Sequence, residues 1–289
     1  MRNACKVEIK RAFQSTAMKI IIIIGALLAV WHTVDTYKSW QEYLQIREQY
    51  TSPLFSMRSL YTELMMMNGN EIQYVLFHNL LPLFAAFPFA VSYYADRKNG
   101  YQKNLYVRET RKEYFCGKIT AVFLSGGTAV VMPAILDFIF LSTFMPAVKP
   151  DSCVMNGTLS PASNWQNLFY EQPFVYFIIY IMIYFVGGGI LALFALAVSR
   201  WLKKSLLAFM SPFLLCIVMQ LLLKDNRGFV PYTFLNMKQE NRFQIWQMIV
   251  TLGVIAGVSI WGFLRKNKKI YSFIISKERK GKKSFEKIF

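Results

Sequence analysis

DRKNGYQKNLYVRETRKEYFCGK, residues 96–118, divides two apolar runs that are each long enough to cross a bilayer. It carries seven basic residues (Arg97, Lys98, Lys103, Arg108, Arg111, Lys112 and Lys118) against three acids, Asp96, Glu109 and Glu113. Asn99-Gly100 separates the first apolar run from the remainder of the stretch. Beyond it, Tyr101, Leu105, Arg108, Lys112 and Phe115 recur about once per helical turn. The spacing predicts a short amphipathic helix held at the inner surface of a membrane. The competing reading is a solvated basic loop that only fixes topology.

Outward from this stretch, charge and apolarity occupy different places. The chain is 55% apolar and 16% aromatic, yet its formal net charge is +17. Its apolar residues gather in runs near the length of the hydrocarbon core, which is about 30 Å thick at about 1.5 Å per helical residue. This pattern predicts an all-α integral membrane protein. Six transmembrane helices are expected over about 18–34, 73–94, 119–144, 174–198, 206–223 and 243–264. Residues 1–17 form an amphipathic lead-in, with Cys5, Ile9, Ala12 and Phe13 on one helical face and Arg2, Lys6 and Lys10 on another. An interfacial helix with Ile9 and Phe13 toward the membrane or the adjoining bundle is expected there. The rival, a signal peptide with Ile20 to Val30 as its core, lacks a following A-x-A cleavage pattern. A basic tail, 265–289, closes the chain.

With both termini in the cytoplasm, 25 of the 33 basic residues fall on inner segments and 8 on outer ones. This positive-inside asymmetry favours six spans with both ends inside. Because the positive charge is spread over several inter-span segments, it points to topology and anionic lipid, not to nucleic acid. The chain has no H-E-x-x-H metal motif, no G-x-S-x-G elbow and no G-x-x-x-x-G-K-[ST] phosphate loop. No catalytic residue, metal ligand or bound cofactor is therefore expected. Only Cys153 of the four cysteines falls outside in this topology, so no internal disulfide is expected. Small residues at Gly126 and Ala129, in the Gly187 run, and at Gly253 and Gly257 allow close helix approach, within the chain or between chains.

Three polar residues fall in the outer third of the predicted spans: His32, His78 and Asp137. A carboxylate inside a span needs a partner, water or an interface. The expectation is a polar outer layer in which His78 or His32 satisfies Asp137 and which lines or gates an exit. The alternative is that each group meets interfacial water independently. Pro133, one turn below Asp137, is expected to kink its span.

Two stretches carry a resemblance. VEIKRAFQS (residues 7–15), leading directly into the first span, resembles the lead-in of bacterial ABC-2 permeases, the membrane subunits of one class of ATP-driven exporters. Residues 96–119 look like their first cytoplasmic loop, with a glycine and a basic residue before a short coupling helix. The run Arg108-x-x-Arg111-x-x-Tyr114 then leads through Gly117-Lys118 into the third span. The resemblance implies a permease subunit in a plasma membrane. Its partners would be a cytoplasmic ABC ATPase that binds ATP and Mg and a second permease, alike or different. It also implies an ATPase-coupling loop carried by Arg97, Gly100, Tyr101, Leu105, Arg108, Arg111, Tyr114 and Lys118, with Arg108, Arg111 and Tyr114 protruding toward the ATPase. Two features depart from the family pattern: the long outer segment between spans 1 and 2, and the length of the basic tail. A reading of another class remains beside it: a non-transporting membrane sensor or anchor that recruits partners or anionic lipid through its basic loops.

Overall fold

In the computed structural model, the described residues are 2–49, 58–69, 71–102, 110–150, 159, 163–202, 204–239 and 243–265. Helices account for the ordered elements among them, and no strand occurs. In chain order they are α1 (Arg2–Gln14), α2 (Thr16–Gln49), α3 (Ile72–Ala86), α4 (Ser92–Lys98), α5 (Arg111–Leu141), α6 (Gln166–Glu171), α7 (Pro173–Trp201), α8 (Ser205–Leu222), α9 (Pro231–Phe234) and α10 (Ile245–Leu264). Among the described residues, α2, α5, α7, α8 and α10 are long and apolar enough to cross a membrane.

Helices α5 and α7 form the central pair, and small residues make their approach possible. A Cβ placed on Gly126 would collide with Ala192 and stand 2.9 Å from the Ala85 carbonyl. One on Gly188 would stand 2.8 Å from Val130, and one on Gly127 would stand 2.5 Å from the Phe185 carbonyl. With no side chain between them, the backbones meet directly, and dispersion over the close contact holds the seam. Across the apolar window of α7, 67% of residues are buried, against 17% for α8 and 22% for α10. α7 is therefore the axis, and α8 and α10 are outer staves whose apolar side chains point away from the protein.

The first span runs beyond its expected end at residue 34. α2 continues to Gln49 as one 34-residue helix, about 51 Å long, well over the thickness of a hydrocarbon core. Nothing between Val34 and Gln49 breaks it: no glycine or proline occurs there. The second expected span is not one helix. α3 stops at Ala86, residues 87–91 form turns, and α4 resumes at Ser92. Pro88 explains the break, since it has no N–H to give to the carbonyl one turn back. At 15 residues, α3 alone reaches only about 22 Å.

The segment between α2 and α3 is not simply an outer loop. Leu60, Leu64, Met65, Met66 and Met67 are fully buried in the bundle core. The first helix of the central pair also begins earlier than expected. Thr110 caps α5, its hydroxyl accepting from the Glu113 N–H while Glu113 reaches back to the Thr110 N–H. Residues 111–118 are thus the first two turns of a 31-residue helix and not part of a separate short one. That helix runs through Pro133 without interruption. A Cβ on Gly25 would stand 2.5 Å from the Pro133 ring, so α2 and α5 touch at this level.

Both ends of the described chain meet at one end of the bundle, the near end. There α1 packs on the start of α5, and Phe263, close to the end of α10, stacks edge-on against Phe115 and Tyr93 at 5.1 Å each. The far end carries residues 58–69, 71, 163–171 and 227–239.

Gly126→Val should lower stability by about 1–3 kcal/mol through overpacking of the central seam. Gly253→Ala should instead raise it, by up to about 1 kcal/mol, because a Cβ there meets nothing within 4 Å and Gly253 lies inside a helix. The thermal midpoint of the purified protein in mild detergent checks both.

Candidate functional sites at the two ends of the bundle

At the near end, four charges from three elements close into a ring. The Lys118 ammonium, 0% exposed, donates to Glu8 Oε2 at 3.1 Å and to Asp96 Oδ2 at 2.6 Å. Arg11 donates from one guanidinium nitrogen to Glu8 Oε1 at 2.6 Å and from the other to Asp96 Oδ1 at 2.7 Å. Each carboxylate therefore meets both cations, and the ring is neutral overall. Tyr114 adds a hydrogen bond to Asp96 at 3.1 Å, and Gln102 donates to the Tyr114 hydroxyl at 3.4 Å. Burial works against the charge on Asp96. The Lys118 charge and the bonds from Arg11 and Lys118 outweigh it and hold the carboxyl below its usual range. Arg11 is likewise held in its charged form: its two acids outweigh its burial.

Local sequence places these groups. Glu8 and Arg11 are three apart on α1 and so share a face, and Tyr114 and Lys118 are four apart on α5. α4 must stop just after Asp96 for the chain to turn back. It does so at Gly100, whose φ of +73° is a left-handed helix stop that a side chain would strain. Tyr101 then lies under the Arg11 guanidinium, 4.1 Å from ring centroid to charge, and Phe89 lies 4.2 Å from the Lys118 ammonium.

These positions revise several expectations. Tyr114 is fully buried and points into the ring, not outward as expected. Lys118 is likewise internal. Gly100 serves the backbone, and Tyr101 braces Arg11. Arg97 is exposed at the end of α4, where its guanidinium reaches the Arg200 carbonyl at 3.3 Å. Leu105 and Arg108 lie outside the described residues, as does the side chain of Arg111. α1 is a helix, but the buried residues among its described side chains are Glu8 and Ala12. Ile9 packs only partly against the core and Phe13 is 39% exposed. The inward stripe of α1 is thus half ionic, which a search for an apolar face overlooks. A pair of opposite charges three apart beside the apolar stripe was the available signal.

At the far end, His32 on α2 meets Asp137 on α5, Nδ1 to Oδ1, at 2.5 Å, and both side chains are 0% exposed. The other ring nitrogen stands 3.1 Å from Glu71 Oε2 and 3.3 Å from the Thr36 hydroxyl. Asp137 Oδ2 accepts the Met65 N–H at 2.8 Å. One ring nitrogen thus faces Asp137, and the other faces the Thr36 hydroxyl and the Glu71 carboxylate. The imidazole ties α2 to α5 and stands beside the chain entering α3, while Asp137 fastens the buried methionine segment. Glu63, on that segment, is held above the ordinary carboxylate range by burial, with the Glu71 charge adding to it and Arg58 and His32 opposing.

The structure brings His32 and Asp137 together but not His78. That ring lies parallel to Tyr74 at 5.8 Å and 5.2 Å from Tyr232. There it helps to line a cavity of about 190 Å³ between α3, α8 and the segment around α9, with Asn79, Gln220, Arg227 and Asn236 as further polar walls. Glu71 and the Met65 backbone were missed by sequence reading, since both belong to a segment expected to lie outside. Among the described residues, no group of His, Cys, Asp and Glu side chains has the arrangement of a metal site.

Lys118→Met should cost about 3–5 kcal/mol by leaving two buried carboxylates against one partly exposed cation. The triple change Lys118→Met, Glu8→Gln, Asp96→Asn should cost less than the single one, as read by detergent thermal melts. Likewise, Asp137→Leu should expose the Met65 segment to limited proteolysis and hydrogen exchange, while His32→Leu combined with Asp137→Leu should leave it better protected than Asp137→Leu alone.

Comparison with protein-family models, with curated proteins and with solved structures finds no match to this chain.

Proposed function

We propose that this chain is the permease subunit of an ATP-driven exporter, working with a separate cytoplasmic ATPase that carries ATP and Mg. In this reading the broken pair α3–α4 is a sixth crossing beside the five long apolar helices. The near end, where the described residues begin and end, lies in the cytoplasm together with both termini, and the protein sits in the plasma membrane beside a second permease. The positive-inside charge balance supports that orientation.

The observation that carries the proposal is the neutral ring of Glu8, Arg11, Asp96 and Lys118. It joins the two stretches that resemble ABC-2 permeases, the lead-in and the first loop, into one unit. A push on the loop near Tyr101 reaches Arg11 through the ring stack, and from there α1, α4 and α5 together. The charges in that unit are individually costly to separate, so it moves as a body and does not dissipate the displacement. The His32–Asp137–Glu71 cluster closes the far end of the contact between α2 and α5, and its opening would release the methionine segment from the mouth of the bundle. The basic tail contacts anionic lipid.

Purification in mild detergent from the native host tests the reading. The expected result is a co-purifying ATPase whose turnover depends on this subunit. Arg108→Glu with Arg111→Glu should leave insertion and assembly intact while uncoupling hydrolysis from transport. If the chain purifies alone and never stimulates an ATPase, the exporter reading is lost and a sensor or anchor takes its place.

A further inference from the structure

The two cations of the near-end ring are matched by carboxylates, but a second pair at the same end is not. Arg200, one residue from the end of α7, holds its guanidinium between the rings of Phe115 and Phe263, at 5.3 and 5.8 Å. Its Nη1 is buried and has no hydrogen-bond partner. The Arg97 guanidinium comes to the same corner, donating to the Arg200 carbonyl at 3.3 Å. No Asp or Glu forms an ion pair with either arginine among the described residues. Arg97 thus reaches the backbone of Arg200 where α4, α5, α7 and α10 meet, and the Arg200 head has a donor that nothing satisfies. A buried donor without an acceptor costs about 1–3 kcal/mol, more when it is charged, so an anion at this corner would be strongly favoured.

The depth of the corner says where the anion comes from. Trp201 and Trp261, 50% and 61% exposed, flank it on the ends of α7 and α10, and the Arg265 guanidinium stacks 4.7 Å over the Trp261 ring. Exposed tryptophans beside arginines at helix ends mark the headgroup level of a bilayer. Further along α10, Val254 and Val258 are exposed and offer apolar surface to an acyl chain. We infer that Arg97 and Arg200 form a site for the phosphate of an anionic phospholipid. Arg200 is only partly buried as a residue, so a turn of its head presents Nη1 to the phosphate. The lipid would bridge α4 to α7 and α10, next to the chain reversal at Gly100. This site does not depend on the exporter reading.

The full chain in mild detergent, titrated with phosphatidylglycerol and followed by native mass spectrometry and thermal melts, tests the site. Ionic strength is kept high so that loose contacts of the tail are screened. The wild type should retain one phosphatidylglycerol and gain thermal stability, and phosphatidylcholine should do neither. Arg97→Gln, a change at an exposed residue, should weaken binding about fivefold, and Arg97→Gln with Arg200→Gln about thirtyfold. Lys268→Gln with Lys269→Gln in the tail should leave it unchanged. Equal affinity of wild type and the Arg97→Gln variant overturns the inference, as does equal retention of phosphatidylcholine. If inorganic phosphate displaces the lipid and gives the same stabilisation, the site belongs to free phosphate and the lipid assignment falls.

Discussion

Lys118 is a lysine ammonium with no solvent exposure, and that single fact constrains the near half of the molecule. An unpaired charge in that position would cost several kcal/mol, so the fold must deliver carboxylates to it. Glu8 and Asp96 arrive from helices more than eighty residues apart in sequence, and Arg11 is then needed to balance the second negative charge. Each member makes sense only with the other three in place. The lead-in helix is held against the bundle by this requirement more than by apolar burial, since α1 buries a glutamate and an alanine.

The far end solves a similar problem with a different inventory. There the excess is negative: Asp137 and Glu71 meet one imidazole, with Glu63 nearby. Backbone N–H and hydroxyl groups make up part of the difference. The two ends therefore differ in character. The near ring is closed and neutral, suited to moving as a body. The far cluster relies on one histidine and on a segment of chain that threads back into the bundle, so it can be undone by removing a single contact. Between them, α5 and α7 meet along glycines, and α2 touches α5 at Gly25 and Pro133.

The glycine positions divide by context. Gly126, Gly127 and Gly188 are close to neighbouring backbone or side chains and have no room for a Cβ. Gly253 and Gly257 show the same small-residue spacing in sequence but face outward, with nothing within 4 Å. Spacing alone does not separate a seam in use from an unpaired face.

The residues themselves determined the class. Apolar runs of bilayer length can be stable only as helices in lipid, and among the described residues five such helices are present. The helical turn also set Glu8 beside Arg11 and Tyr114 beside Lys118. The opposite fates of the two histidines were decided by the tertiary structure, because a position in the outer third of a span fixes depth but not the direction in which a side chain points. The same holds for Tyr114, whose spacing suits an outward face as well as an inward one until Asp96 is brought opposite it. The continuation of α2 to Gln49 and the break at Pro88 were written locally, in the lack of breakers and in one missing N–H. The burial of Leu60 to Met67 was not, because a short apolar segment between polar flanks goes inside only when the bundle leaves a gap of its shape and a carboxylate to receive its backbone.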